Sequence, residues 1–302
     1  MKKIIIIFFS LLLLTVLSTV IFLSTKGYET DRFNNFISKK IKDREENLAV
    51  DLSTIKIKLD IKKFDLFLST RNPQTKYKSI DLPISQLSIY FDFFSLFKKE
   101  PYIKRANVTF AELSMSNVKK MILEIKPSNF KSFLLNNILK GSVEGSIDLD
   151  FLANLEISNY KINGNLKRTD INIFNNLEIK DTNFNFVADN NLILINSISF
   201  YFKGIPVING TININQKNGF LIDGSLAFNT NSNTEDLSEI IKLFPDINFK
   251  DKKAKISGNF LNKFKLNFDS TLKLKDYSYN LKGNLKESEI NFEKGFQSSF
   301  LK

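Results

Sequence analysis

Six times from Val143 onward the chain repeats a five-position unit in which two apolar residues flank a central glycine, with one free position on each side of it. The copies are Val143–Ile147, Ile162–Leu166, Ile208–Ile212, Ile222–Leu226, Ile256–Phe260 and Leu281–Leu285. Positions one, three and five of such a unit share a face only if the backbone is extended, so the period is that of a β-strand. A glycine within a strand weakens it unless a bend, a bulge or the close approach of another group needs the missing side chain. Six such gaps predict one curved sheet built by repetition.

Around these units the pattern is strand after strand. Ile55, Ile57, Leu59 and Ile61 alternate with Lys56, Lys58, Asp60 and Lys62, which gives one apolar and one charged face. Further strands are expected at 79–90, 103–115, 118–126, 143–152, 155–168, 177–188, 192–202, 207–215 and 220–229. Five more follow, at 255–261, 263–268, 271–276, 279–286 and 289–292. Turn residues such as Asp189-Asn190-Asn191 separate neighbours, so the chain should meander with antiparallel pairing. Three helices are expected. Asp31–Glu46 carries Phe33, Phe36, Ile37 and Ile41 on one face; Ser128–Lys140 begins after Pro127 and stops at Gly141; and Ser232–Phe244 has capping-box spacing from Ser232 to Glu235.

Ile4 to Leu23 is a run of twenty residues interrupted only by Ser10, Thr15, Ser18 and Thr19. At 1.5 Å per residue a helix there is about 30 Å long, the thickness of a bilayer's hydrocarbon core. Lys2 and Lys3 precede it, and Lys26, Glu29, Asp31 and Arg32 follow, so the positive-inside rule puts the amino end in the cytoplasm and the rest across the membrane, in a bacterium the periplasm. A cleaved signal peptide is the rival reading. Its apolar region would be about 7 to 15 residues and would end in small residues, whereas this one is longer and ends in Phe22-Leu23, which favours an uncleaved anchor. Three segments follow: the anchor at 1–25, a juxtamembrane helix at 26–47 and a β domain at 48–302.

Composition excludes more than it specifies. Without histidine or cysteine the common catalytic triads, thiol nucleophiles and histidine metal sites have no side chains to use. Asp148 and Asp150 share a strand face, where two solvated carboxylates are the simpler reading. No catalytic residue, metal or cofactor is expected. The net charge of +11 is carried mainly by lysines scattered through alternating strands, with only five arginines in the chain. That distribution argues against nucleic acid as a partner.

An antiparallel sheet with one apolar face must cover it, and three helices cannot cover about fifteen strands. Either the sheet folds over as a sandwich or barrel, or it forms an open trough, about 70 Å long at 4.8 Å per strand. An open apolar floor marks a binding site, and an acyl chain fits it. The lining positions expected on that floor are Ile55, Ile57, Leu59, Ile147, Leu149, Phe151, Ile162, Leu166, Ile208, Ile212, Ile222 and Leu226.

Taken together, the anchor, the juxtamembrane helix, the Phe-rich segment before Pro101-Tyr102-Ile103 and the strands carrying the glycine unit resemble the AsmA-like family. That group includes AsmA, TamB and YhdP, with chorein-type bridge proteins as eukaryotic relatives. The resemblance implies a mostly β protein with a long, taco-like antiparallel groove behind one transmembrane helix. It also implies an inner-membrane protein whose bulk lies in the periplasm, with membrane phospholipids as partners and a role in lipid transport and outer-membrane homeostasis. At this length the chain would be a short member or one truncated at the carboxyl end. Two alternatives stay open: a scaffold or assembly factor for outer-membrane proteins, and a closed β-sandwich of the envelope with no lipid cargo.

Overall fold

The structure is a computed structural model that describes residues 2–32, 34–63, 65–78, 80–92, 102–124, 127–154, 156–172, 178–216, 219–233 and 252–292. Those residues form four helices and sixteen strands. The helices are α1 (Lys2–Thr25), α2 (Asn34–Arg44), α3 (Met115–Leu123) and α4 (Asn129–Asn137). The strands are β1 (Tyr28–Thr30), β2 (Leu48–Asp51), β3 (Ile55–Asp60), β4 (Asp65–Arg71), β5 (Gln74–Tyr77), β6 (Ile80–Leu82), β7 (Ile84–Asp92) and β8 (Ile103–Ser114). They continue as β9 (Ile138–Phe151), β10 (Ile157–Asn172), β11 (Glu178–Ala188), β12 (Leu192–Phe202), β13 (Ile205–Asn215), β14 (Phe220–Asn233), β15 (Lys252–Phe268) and β16 (Leu274–Phe292). Thirteen strands form one antiparallel sheet in the linear order β1-β3-β4-β7 and then β8 through β16, and β2-β5-β6 form a second, small sheet. The fold is therefore mostly β and is not a closed barrel.

The chain divides into two compact units: Met1–Leu113 with Glu144–Ile162, and Ser114–Val143 with Asn163–Lys302. In the first, α1 is long and apolar enough to cross a membrane, with a mean hydropathy of 2.9 over its best window. Its threonine hydroxyls are satisfied within the helix: Thr15 donates to the Leu11 carbonyl and Thr19 to that of Thr15, each at 2.9 Å, as a lipid-exposed span would require. Gly27 closes the helix at φ +73°, its N–H donating to the Phe22 carbonyl. The apolar stripe of α2 then lies on the sheet. Ile37 and Ile41 pack against Val50, Leu52 and Ile55, with Leu48, Ile57 and Leu68 around them. Residues four apart share a helix face, so the spacing of Ile37 and Ile41 dictates this contact.

Where 118–126 reads as a strand, the second unit instead has the helix α3. Ser114 caps it, its hydroxyl accepting from the Asn117 N–H, and Val118, Met121 and Ile122 fall at helical spacing. Likewise Gly141 does not stop α4, which ends at Asn137. It lies in β9 at φ +125°, where an added Cβ would sit 2.8 Å from the Thr169 Cα, so its glycine serves close backbone approach. The segments read separately at 255–261 and 263–268 are one strand, β15, and those read from 271 to 292 are one strand, β16, which starts only at Leu274, since 271–273 belong to the turn. The expected helix 232–244 lies outside the described residues from 234 on, and Ser232 and Asn233 end β14.

Candidate functional site: the apolar face of β11 to β16

Register fixes which side chains share a face, because directly paired residues in an antiparallel ladder point the same way. Ile193 and Ile195 on β12 pair with Ile214 and Ile212 on β13. Ile214, Ile212 and Gly210 pair with Ile222, Gly224 and Leu226 on β14. Those three pair with Leu266, Phe264 and Asn262 on β15, which in turn pair with Tyr277, Tyr279 and Leu281 on β16. On β11, Phe186 and Ala188 pair with Ile195 and Ile193, so these rows across six strands are apolar save for Asn262, whose Oδ1 has no hydrogen-bond partner in the structure, while Thr230 and Ser232 continue the same face of β14 as buried polar residues. The opposite face carries Asp223, Lys255, Lys263, Lys265, Lys282 and Glu287. There Lys255 meets Glu287 at 3.1 Å and Lys265 meets Asp223 at 3.5 Å.

The glycines of the repeat now have a physical role. A Cβ built on Gly224 would lie 2.3 Å from Cζ of Phe264, its direct partner, and one on Gly283 would lie 2.3 Å from Cδ1 of Phe260, again its partner. Gly210 stands in the same relation to Leu226, at 2.5 Å. At Gly224 and Gly283 a cross-strand ring covers the bare backbone and at Gly210 a cross-strand leucine does, whereas Gly258 is met by the Asn284 carbonyl and by Phe260 of its own strand. Phe260 also stacks on Phe228, with ring centroids 5.3 Å apart and planes 17° off parallel. The aromatic surface so continues from β14 through β15 to β16.

Strict alternation fails along a line of bulges. Arg168, Asp181 and Ser197 take left-handed backbone at φ +47°, +51° and +54°, and the ladder between β13 and β14 shifts register between Val207 and Asn209. At such points one residue is left over and the faces exchange. The freed N–H groups are met by side chains: that of Arg168 donates to Asn183 Oδ1 at 2.9 Å, and that of Asp181 to Asp170 Oδ1 at 3.0 Å. Asp170 is buried and also accepts from Lys140 at 2.9 Å. Burial pushes its carboxyl up, but the Asp181 N–H and the Lys140 ammonium outweigh burial and hold it below the ordinary aspartate value.

Of the expected lining positions, the structure gathers Ile212, Ile222 and Leu226, all half-buried, onto this face. Ile208 is not among them. The register shift leaves it 53% exposed, while buried Val207 takes the inward place opposite Phe228. Leu166 is buried in the same unit. In the first unit Ile55 is corrected outright, since α2 covers it and leaves it 3% exposed, and Ile57 packs beside it. Leu59, Ile147, Leu149, Phe151 and Ile162 are half-buried. Asp148 and Asp150, read above as solvated, are paired: Asn107 donates to Asp148 at 2.8 Å and Arg105 to Asp150 at 2.9 Å.

Sequence reasoning missed the aromatic rows of β15 and β16. Tyr277, Tyr279, Leu281 and Leu285 are 61%, 73%, 55% and 61% exposed on that face, and their period of two was the signal that could have found them. Only eleven hydrophobic residues among those described are fully buried, so the apolar face of the second unit is half-covered rather than sealed. Among the described residues no cluster of metal-ligating side chains forms. Compared with known proteins, the chain matches no family model, no curated protein and no solved structure.

Proposed function

We propose that the protein is anchored in a bacterial inner membrane by α1, with its amino end cytoplasmic and its bulk periplasmic, and that it shields phospholipid acyl chains on the apolar face of β11–β16. The observation that carries this reading is the register-locked one-sidedness of that face, with Tyr277, Tyr279, Leu281 and Leu285 open to solvent. Six strands at about 4.8 Å span about 24 Å, more than the roughly 15 Å thickness of one hydrocarbon leaflet, so a single tail fits across them. At about 0.8 kcal/mol per CH₂, a sixteen-carbon tail needs about 13 kcal/mol of shielding. Dispersion and burial against the Phe and Ile rows supply this without any catalytic group. The AsmA-like resemblance agrees with this reading, and transport between the membranes would be its physiological role.

Because α1 itself retains lipid in detergent, co-purification alone does not test the proposal. A photo-crosslinking residue placed in cells at Leu226, on the apolar face, should capture phospholipid, and one at Lys263, on the polar face, should not. Equal capture at both positions, or none at Leu226, sinks the reading.

A specific observation favours a second use. β16 is nineteen residues long and, among the described residues, is hydrogen-bonded on one side only, to β15. Such an edge can accept a partner strand, as an assembly factor for outer-membrane proteins would require. A co-purifying barrel precursor, lost when proline replaces Asn280, is the expected sign of that use.

A further inference from the structure

The first unit holds a cavity of about 580 Å³ on the side of the sheet away from α2. Register builds its wall in rows across three strands: Lys56, Ser69 and Ser88 in one, and Lys58, Phe67 and Tyr90 in the next. Arg71 and Gln86 close one end, and Glu29 on β1 reaches over from the strand that follows the anchor. Three cations and one carboxylate line it, and the next row of the same face, Asp60, Asp65 and Asp92, is acidic. Glu29 is already engaged by Lys56 at 2.9 Å, and no carboxylate lies within ion-pair distance of Lys58 or Arg71 among the described residues. Glu29's carboxyl is held below its ordinary value, by the Lys56 hydrogen bond first and also by the charge of Arg71. Phe67 and Tyr90 stack at 5.1 Å and form an aromatic wall beside the free cations.

The position of this cavity is fixed with respect to α1. Only Lys26 and Gly27 separate the helix from β1, and a Cβ on Gly27 would lie 2.7 Å from the Ile57 carbonyl oxygen, so the end of the helix is seated directly on β3. From Thr25 to Glu29 an extended chain reaches at most about 13 Å. The headgroup layer beyond a hydrocarbon core is about 5–8 Å deep. Lys26 and Tyr28, the latter 48% exposed, are residue types that settle in that layer. The cavity therefore opens at or just beyond the headgroups of the leaflet from which α1 emerges.

We propose that this cavity binds the phosphate of an anionic phospholipid headgroup, with Arg71 and Lys58 as its principal ligands and Ser69 and Ser88 as hydroxyl donors. A guanidinium offers forked donors matched to phosphate oxygens, and Lys58 adds a point charge. The site rests on the anchored half of the function proposed above, and not on tails lying along β11–β16. Cross-linking at Leu226 and headgroup binding here can therefore fail separately.

The test uses the full chain in mild detergent, titrated with phosphatidylglycerol, phosphatidylcholine or glycerol phosphate and read by native mass spectrometry. Wild type should bind phosphatidylglycerol roughly tenfold tighter than phosphatidylcholine, the effect of about one charge-assisted contact. The double variant Lys58→Gln/Arg71→Gln should lose that preference, while Lys263→Gln/Lys282→Gln, with the same loss of charge on the polar face of the second unit, should keep it. Circular dichroism of each variant controls for folding. Three results overturn the proposal: an undiminished preference in the Lys58/Arg71 variant, an equal loss in the Lys263/Lys282 control, or glycerol phosphate binding as tightly as the lipid. The last would assign the cavity to a soluble phosphate.

Discussion

At Gly224 the filling of a glycine gap by the Phe264 ring can be tested as an energy. In the wild-type geometry Cζ, Cε1 and Cε2 of Phe264 lie 2.3, 2.8 and 2.9 Å from where an alanine Cβ at 224 would be. Carbon atoms settle at about 3.5–4.0 Å, so Gly224→Ala forces the ring off the strand by more than about 1 Å, an overpacking that costs about 1–3 kcal/mol. Phe264→Ala alone gives up about 100 Å² of a half-buried ring, about 2.5 kcal/mol. In the double variant the new methyl enters the space that the ring has left, so the overpacking cost disappears and the total is about that of Phe264→Ala. The expected coupling is about 2 kcal/mol less destabilisation than the sum of the single changes. Urea unfolding of the full chain in mild detergent, followed by far-ultraviolet circular dichroism, measures each variant, and hydrogen exchange at β14 and β15 amides localises the change. Additivity to within about 0.5 kcal/mol would refute the reasoning.

Gly27→Ala should be worse than its size suggests. The left-handed backbone costs about 1–2 kcal/mol and the clash with the Ile57 carbonyl adds to it, so limited proteolysis between Thr25 and Tyr28 should accelerate severalfold. Asp170 should give the second unit an acid limb. Its folded carboxyl titrates below the unfolded one, so its stabilisation is complete above the ordinary aspartate value of about 3.9 and is lost as pH falls through the folded value. Asp170→Asn should therefore flatten the stability profile between pH 5 and pH 2, a range of about three units, while costing about 1 kcal/mol at neutral pH, as pH-dependent urea unfolding would show. Because the chain has no cysteine, single-cysteine variants report exposure without background. Ile55→Cys, under α2, should react with a maleimide roughly a hundredfold more slowly than Leu281→Cys, since it must wait for local opening.

The sequence was most legible where side chains alternate without interruption. β12 falls on 192–202 in both readings because its turn residues, Asp189-Asn190-Asn191 before it and Lys203-Gly204 after it, leave no freedom at either end. The apolar helix α1 was legible from the length of its run, and α2 from Ile37 and Ile41. Register was not. The bulges at Arg168, Asp181 and Ser197 use ordinary residues in left-handed backbone, with no glycine to announce them, and a single bulge exchanges every face beyond it. The shift between Val207 and Asn209 is equally unannounced, which is why Ile208 was placed inward and Val207 was overlooked. α3 was read as a strand because Val118 and Ile122 favour both periods, and the deciding cap at Ser114 lay inside what looked like a strand. The glycines were read as places for a bend, a bulge or a close approach, and only pairing reveals that at Gly210, Gly224 and Gly283 the approaching group is a side chain of the facing strand.

Gly27 leaves no slack between the membrane helix and the first strands of the sheet. A bilayer thinner than the apolar run of α1 makes a helix tilt rather than compress. Because the two-residue link is held against β3 at Gly27, the first unit would lean through the same angle if α1 spans a bilayer. Membrane thickness would thereby be converted into the attitude of β1 and β3 above the lipid surface, as a mast stepped rigidly into a hull carries the roll of the ship.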